Sequence, residues 1–574
     1  MTVEPWSPTV PGRLLRHALR RPDAPALTCL DGDEVRRLDY RRLAALVEAV
    51  GAGLGALGVR SGDRLVMVLP NDESFVAVLL AAMGRGVLPV PAATPATTRT
   101  EAFGRRLRGI VADCRPSLVV TTAPWHACVL TALGDLDVPG GVHAWPGPAT
   151  AARPAARPSV PAPAPPPDAP AFLQYTSGST GAPKGVVISH RALHASCAQA
   201  ARVYAERRDD VAVTWVPLHH DMGLVTGVLR PLFSGYASVL MAPDAFVRRP
   251  AAWLSAVTEH GGTLSSAPDF AYALCARKVT DEELARLDLR RWRVARSAGE
   301  VVRAGTAERF TAQFAAAGFS PASLCPSYGM AEATFTVTAS TPDSPPARLA
   351  VRTAALRAGR VEAAVPGKPA TVLLSSGTPL PGTQVRVRPR PPGRGSGPHL
   401  GEVVVRGPQL FRGYWPHARR PAGWHATGDR GFVHDGHLFV VGRTDDVLVH
   451  HGRTFYPADV LAACEEVPGL RPGRCAAFCV TDREADGGGD DGEGDDGGEP
   501  GGRVCLVAEV AGGPGAPPPA EVAAGARRRL ADALGLYVRE VVLLPRGGLP
   551  VTTSGKVRVA ETRRRLLLGT LPRL

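Results

Sequence analysis

The sequence predicts an α/β protein with a large and a small domain. Three observations lead there. At 574 residues the chain is too long for one hydrophobic core, so two or more domains are expected. Up to about residue 340, short apolar runs of strand character alternate with helical patterns, which implies a parallel sheet with crossover helices. From about residue 370 the pattern changes to short β runs split by Gly and Pro. After Gly442–Arg443 a smaller unit with its own strands and helices begins.

Taken in order, residues 1–60 read as helical with interruptions. LLRHALRRPDAPAL looks like a helix ended by proline, and DYRRLAALVEAVGAGLGAL spaces its apolar residues as a helix does. RLVMVLP (64–70) is a continuous apolar strand. ESFVAVLLAAMGRGVLPVPA (73–92) reads as a buried helix followed by a strand, and SLVVTTA (117–123) as a further strand. Residues 146–170 are Pro/Ala-rich and are expected to be an extended, solvated connector. AFLQY and VVIS then read as strands, with a helix expected at Arg191–Ala201. VAVTWVPLHHDMGLVTGVLRPLFSG (211–235) reads as a strand, a polar turn at His219–His220–Asp221 and a helix. WRVARSAGE (292–300) and SLCPSYGMAEATF (323–335) are strands running into polar, Gly-containing loops. Loops of this kind at several strand ends are how an open α/β sheet builds a ligand crevice.

TVLLSS, QVRVRP, GEVVVRG and HLFVVGR make up the β-rich part. In the small unit VLVHHG, AAFCV, VCLVAEV and REVVLLP read as strands, with ADVLAACEEV and AEVAAGARRRLADAL as helices. The acidic, Gly-rich stretch 485–502 is expected to be a disordered loop between two of those strands.

One stretch organises the rest. Gln174 to His190, QYTSGSTGAPKGVVISH, gathers Thr176, Ser177, Gly178, Ser179, Thr180 and Gly181 between two strand-like runs and then places Lys184. Backbone N–H groups and hydroxyls of such a loop can turn inwards around an anion, and glycine lets the main chain approach a phosphate closely. Lys184 adds a point charge. The loop differs from GxxxxGK[ST], because Gly185 follows the lysine where a magnesium-binding Ser/Thr would stand. A plain surface turn is the competing reading, but a bare linker would not sit between two apolar strands.

The net charge of +13 suits an anionic substrate or an acidic partner, and general arginine richness explains it as well. No basic helix or aromatic-interleaved basic stripe points to nucleic acid. The ten cysteines lack CxxC or Cys/His metal-ligand spacing and read as small buried hydrophobes in a reducing compartment. The N-terminal MTVEPWSPTVPGRL lacks the basic-then-apolar layout of a signal peptide, and no unbroken apolar run is long enough for a membrane span. A soluble, cytoplasmic protein is expected.

Read together, six motifs occur in order: YTSGSTGAPKG (175–185), HHDMG (219–223), SAGE (297–300), SYGMAEAT (327–334), TGDRG (427–431) continuing to GRTDD (442–446), and TSGKV (553–557). This series resembles the adenylate-forming superfamily of acyl-CoA synthetases, luciferases and adenylation domains, over nearly the whole chain. Residues 215–235, 267–275, 287–300 and 326–337 bring the resemblance closer to fatty acyl-AMP ligases. The stretch 355–387 falls where those ligases carry an insertion held to exclude coenzyme A. The implied fold is a large N-terminal adenylate-forming domain (1–442), made of two α/β subdomains and a β-rich subdomain, and a small mobile C-terminal α+β domain (443–574).

What the resemblance implies for the site follows residue by residue. The hydroxyls of Thr176, Ser177, Ser179 and Thr180, with Gly178, Gly181 and Lys184, would hold the β- and γ-phosphates of ATP. Ala298, Gly299 and Glu300, with Tyr328, Gly329 and Met330, would line the nucleotide, the Tyr ring offering a face to adenine. Asp429 would accept hydrogen bonds from both ribose hydroxyls, and Arg443 would meet the ribose or α-phosphate. Glu332 would hold Mg²⁺, a hard cation suited to carboxylate and phosphate oxygen. His220 would stand near the carboxylate and acyl channel. Lys556 would steady the charge that develops in transfer, and Asp445 would be the hinge about which the small domain swings. Two positions depart from the common pattern: Ser297–Ala298 where relatives more often have Asn/Gly-Gly, and Asp445 where many have Lys.

The activity implied is ATP-dependent formation of a fatty acyl-adenylate, followed by loading onto the phosphopantetheine arm of an acyl carrier protein. That carrier is expected on a separate chain, since no Ser-bearing carrier motif beside a helical bundle is evident. An acyl-CoA ligase is the alternative within the enzyme class. A non-catalytic adenylate-binding protein is the alternative outside it, and Lys184, Glu332, Asp429 and Lys556 argue against it. An amino-acid-activating domain is disfavoured, because no Asp is evident for an α-amino group.

Overall fold

The parallel strands announced by the alternating pattern form the middle of a nine-stranded sheet. Its order is Thr378–Pro379, Thr338–Ala339, Leu324–Tyr328, Val294–Ser297, Leu264–Ala267, Val211–Thr214, Ala237–Met241, Pro25–Asp31, Glu34–Asp39. Strands from Leu324–Tyr328 through Pro25–Asp31 run parallel, and the outermost strands close the sheet antiparallel. The computed structural model describes residues 9–97, 100–145, 165–177, 183–389, 399–419, 423–444, 448–450, 453–481, 502–513, 515–552 and 557–574.

A second, all-parallel sheet runs Leu88–Pro91, Arg64–Val68, Leu118–Thr122, Val142–Trp145. The helix Glu73–Gly84 lies between two of its strands in sequence and is buried almost all round. Asp72 caps it, accepting from the N–H groups of Ser74 and Phe75. Under the nine-stranded sheet, Trp253, Trp292, Tyr272 and Phe310 meet edge-on at 5.0–5.4 Å between adjacent centroids. Edge-to-face contacts suit the ring quadrupoles. The β-rich part is an antiparallel sheet of Gln384–Pro389, Gly401–Arg406, His425–His434 and His437–Arg443.

The expectation of a helical N-terminus is corrected. The helix Val10–Arg20 forms, with Thr9 as its N-cap, but Pro25–Asp31 and Glu34–Asp39 are a β-hairpin ahead of the helix Tyr40–Ala56. The reason is long-range. Pro25–Asp31 pairs in parallel with Ala237–Met241 and buries Ala26, Leu27 and Cys29, so a partner distant in sequence overrides the local pattern. The helix expected at Arg191–Ala201 spans His190–Val203. The helix after His219–His220–Asp221 holds a π-helical segment at Val225–Leu229.

Most of the Pro/Ala-rich stretch and all but the last residue of the acidic insert lie outside the described residues. Pro170 and Gly502, their final residues, open the strands Pro170–Ser177 and Gly502–Val510.

Beyond Leu448 the buried side chains form a core of their own, from Leu448 to Leu571. It is built on the sheet Leu470–Thr481, Gly502–Val510, Glu540–Leu544 and the helices Pro457–Glu465, Pro519–Leu534 and Val559–Leu567. Polar ties join this unit to the rest. Arg303 Nε donates to Asp269 Oδ2 at 2.7 Å and its Nη1 to Glu465 Oε1 at 2.7 Å. Burial pushes the Asp269 carboxyl up, opposed by the Arg303 charge beside it. In the 355–387 stretch, the Leu356 carbonyl accepts from Tyr456 OH at 3.2 Å, and Arg357 Nη1 donates to the Leu534 carbonyl at 2.7 Å. All ten cysteines are free thiols, and eight are buried.

Candidate active site

The site forms where the central parallel strands end and the antiparallel sheet comes alongside. The strand Leu324–Tyr328 delivers Tyr328, which is 8 % exposed, and its hydroxyl donates to Asp429 Oδ2 at 2.6 Å. Asp429 lies opposite Arg443 in the register of His425–His434 with His437–Arg443, and Arg443 Nε is 3.7 Å from its Oδ1. The Asp429 N–H donates to Thr427 Oγ1 at 3.1 Å, a local turn that aims the carboxylate. Burial and the neighbouring carboxylate push the Tyr328 phenol well up, so it stays protonated and donates. Tyr328 and Arg443, both expected from the sequence at this site, thus converge on the Asp429 carboxylate.

The next residue admits no side chain. A Cβ on Gly329 would stand 1.5 Å from the Phe335 carbonyl oxygen, because the segment after Tyr328 folds straight back. The Phe335 N–H donates to the Met330 carbonyl at 3.0 Å, and the Val337 N–H to the Tyr328 carbonyl at 2.9 Å. Thr334 and Phe335 both sit at positive φ, 47° and 90°. Such conformations cost on the order of 1–3 kcal/mol each and persist where the surroundings impose them. Ser196 Oγ donates to the Thr334 carbonyl at 2.8 Å and Thr334 Oγ1 to the Gln409 carbonyl at 2.7 Å. On the neighbouring strand end, Ala298 is buried and its N–H donates to the Ala267 carbonyl at 3.2 Å, while Gly299 takes φ 83°. Glu300 belongs to the scaffold as well: its Oε1 accepts from the Phe270 N–H at 2.6 Å, at the start of the helix Asp269–Lys278.

A second cluster joins the phosphate-loop lysine to the expected metal ligand. Tyr414 OH donates to Glu332 Oε1 at 2.7 Å, and Lys184 Nζ lies 5.7 Å from the centre of the Tyr414 ring. Tyr414 arrives through strand pairing of Gly413–Tyr414 with Val186 and Val187. Burial and the Glu332 charge push its phenol up. Thr176 lies opposite Lys184 in the hairpin Pro170–Ser177/Pro183–Ser189. Gly178, Ser179, Thr180 and Gly181 lie outside the described residues, as do Lys556 and Asp445, and the Ser177 side chain is not described either.

The third cluster is the histidine turn. The buried Gln174 donates through Nε2 to the His219 carbonyl at 2.8 Å. Burial, with the nearby Arg106 charge, holds the His219 imidazole well below its ordinary range, so it is neutral. His220 is half-buried, its Nδ1 2.7 Å from Asp221 Oδ1, at the start of the following helix. Three contributors went unnoticed in the sequence: Tyr414, Thr427 and the amide of Gln174. Tyr414 carried no signal, since FRGYWP is no phosphate or metal motif. Thr427 and Gln174 lay inside quoted motifs, but only the fold shows what they touch.

The chain matches the model of the AMP-binding enzyme family over residues 14–415, and it belongs to that family. It is 31 % identical to the long-chain-fatty-acid–AMP ligase FadD26 of Mycobacterium marinum, with 96 % of each chain covered. It is 32 % identical to the medium-chain-fatty-acid–[acyl-carrier-protein] ligase JamA of Moorena producens, with 94 % of this chain and 91 % of that protein covered. A structure from work on the fatty acyl-adenylate ligases of E. coli and L. pneumophila superposes with a TM-score of 0.86 at 29 % identity, covering 98 % of both chains. The mixed α/β architecture is that of adenylate-forming enzymes.

Proposed function

We propose that the chain is a fatty acyl-AMP ligase that activates a fatty acid with ATP and hands the acyl group to the phosphopantetheine thiol of a separate acyl carrier protein. The observation that carries the reading is the convergence of Tyr328, Asp429 and Arg443 at the end of the central strands, beside the Lys184–Tyr414–Glu332 cluster. The two relatives described above act, by their names, on fatty acids, one with AMP and one with an acyl carrier protein.

In the first half-reaction a carboxylate oxygen attacks the α-phosphorus, a P–O bond forms, and the bond to the β-phosphate breaks to release pyrophosphate. Two anions must meet, so positive charge and aimed donors lower the barrier. Asp429, aimed by Thr427 and Tyr328, holds the ribose hydroxyls; Arg443 meets the ribose or α-phosphate. Lys184, with the loop from Thr176 to Gly181, neutralises the departing pyrophosphate. His220 stands by the entering carboxylate and Lys556 by the bond being made. Tyr328, Gly329 and Met330 with Ala298 and Gly299 flank adenine, and Glu300 braces that wall.

Glu332 fits Mg²⁺. Its carboxylate is held by Tyr414 OH beside Lys184, and a hard cation there would share that carboxylate with phosphate and water. Held by Glu332, such an ion would supply neutralisation of the phosphate charge. In the second half-reaction a thiol sulfur attacks the acyl carbon, and the bond to AMP breaks.

The domain boundary falls at 442/443, with Asp445 as the hinge. What supports a restrained small domain is the tie of Leu356 and Arg357 to Tyr456 and Leu534, from within 355–387. Free thiols fit a reducing cytoplasm, and among the described residues no helix is long and apolar enough to cross a membrane.

Intact-protein mass spectrometry of candidate carriers, incubated with ATP and fatty acids of graded length, tests the proposal. A carrier heavier by one acyl group is expected. Coenzyme A alone giving acyl-CoA at the rate of pyrophosphate exchange overturns the carrier assignment in favour of an acyl-CoA ligase. Absence of pyrophosphate exchange with any carboxylic acid overturns the ligase reading altogether.

A further inference from the structure

The helix Thr100–Cys114 is laid against the phosphate-loop hairpin at two points. Asp113 Oδ2 accepts from Tyr175 OH, and the Asp113 carbonyl accepts from Trp415 Nε1 at 3.3 Å. One turn earlier, Gly109 lies so close that a Cβ on it would stand 3.3 Å from Pro183 Cγ. In the hairpin Tyr175 pairs with Gly185 and Ser177 with Pro183. Going back along the helix from Asp113 to Gly109 therefore follows the two strands towards the loop that joins them. Arg106 comes next on that helix face, one turn before Gly109 and two turns, about 10.5 Å, before Asp113. Two other parts of the site flank it. His219, whose carbonyl Gln174 holds, lies near enough for the Arg106 charge to act on its ring. Arg558, just beyond Lys556 in the small domain, brings a further positive charge close to Arg106.

Among the described side chains nothing neutralises this guanidinium. No carboxylate acts on it, and its Nε is buried without a hydrogen-bond partner. His219 offers no acceptor, since its own Nε2 is buried and unpaired as well. Burial, and after it the Arg558 charge, lowers the Arg106 pKa to about 10, which leaves the group charged near neutral pH. A cation held beside another cation, with a buried donor and no acceptor, is costly in the folded chain. An anion that reaches it removes that cost and is correspondingly favoured. The helix face carrying Arg106 runs along the phosphate-loop hairpin, so the anion it meets there is a phosphate.

Resting on the fatty acyl-AMP ligase reading, we propose that Arg106 is a phosphate-binding residue of this site, a second cation that takes phosphate oxygens at the loop end of the hairpin that carries Lys184. A guanidinium presents paired N–H donors that match phosphate oxygens, where a lysine is a point charge, so the two divide the work. The shared chemistry is a phosphate. The β- and γ-phosphates of ATP, leaving as pyrophosphate, supply it in adenylation, and the phosphate of a pantetheine arm supplies it in transfer.

The test compares full-length wild type with Arg106→Met, which keeps the aliphatic body and removes the charge. Pyrophosphate exchange is measured against ATP, pyrophosphate and fatty acid in turn, with a thermal melt of each protein. KM for ATP and for pyrophosphate is expected to rise about tenfold or more. KM for the fatty acid should stay within about twofold, and Tm should not fall, because the variant sheds an unpaired cation. A second arm measures acyl transfer to pantetheine 4′-phosphate and to pantetheine. Unchanged KM values with a loss of the preference for the phosphorylated thiol assign Arg106 to the arm's phosphate. Unchanged KM values with an unchanged preference overturn the proposal, as does a rise confined to the fatty acid. A lowered Tm with unchanged KM values makes the guanidinium structural and overturns it too. If Arg106→Met does not fold, Arg106→Lys is read instead. It keeps the charge and loses the paired donors, so KM for pyrophosphate should rise severalfold, and an unchanged value counts against the proposal. No exchange by wild type with any carboxylic acid refutes the ligase reading itself, whereas normal exchange that the variants leave untouched refutes only this inference.

Discussion

Replacing Tyr328 by Phe removes one oxygen from the nucleotide site. In the folded protein that hydroxyl donates to Asp429 Oδ2 at 2.6 Å. The carboxylate's other oxygen has Arg443 Nε at 3.7 Å, a looser contact from a side chain that is 48 % exposed. Arg443 therefore does not hold the carboxylate in place by itself. A hydrogen bond to a charged group contributes about 1.5–3 kcal/mol. At about 1.4 kcal/mol per decade that is roughly ten- to hundredfold in affinity for a ligand that depends on the orientation of Asp429. The ribose is held alike before and during reaction, so the loss should fall on KM for ATP with kcat nearly unchanged. Pyrophosphate exchange measured against ATP concentration, with a thermal melt of the same sample, makes the assay. A KM within about twofold of wild type in a protein that melts normally refutes the argument that Tyr328 aims Asp429 at the nucleotide. A lowered Tm with unchanged KM assigns the bond to stability alone.

Gly329→Ala sets a Cβ against the Phe335 carbonyl oxygen and must displace the wall beside Tyr328, so exchange should fall about a hundredfold or more in a protein whose circular dichroism shows it folded; activity within tenfold of wild type contradicts the crowding seen here. Lys556→Ala is expected to abolish adenylate formation while leaving ATP binding largely intact by calorimetry, and adenylation near the wild-type rate removes its assigned role. Acid should destabilise the protein through His190, whose buried ring has a pKa lowered to about 4 from 6.5. The unfolded chain then binds the proton that the folded one refuses, so stability present above pH 6.5 is lost as the pH falls towards 4, by about 2 kcal/mol at pH 5. Denaturant titrations of wild type and His190→Leu at pH 7 and pH 5 check this, and equal slopes for the two proteins contradict it.

Much of this protein was legible in residue order alone. Phosphate loops, strand-end loops and the SYGMAEAT and TGDRG segments are local patterns, since a loop's ability to bind an anion or aim a carboxylate is set by a few adjacent residues. The α/β class and the placing of the strand Leu324–Tyr328 followed from periodicity for the same reason. The N-terminal hairpin was not legible, because Pro25–Asp31 is a strand by virtue of Ala237–Met241. Tertiary structure alone decided that Tyr414 stands between Lys184 and Glu332 and that Gly329 faces a carbonyl. The first joins segments far apart in sequence and the second depends on how the chain folds back after Tyr328, and periodicity carries no record of either.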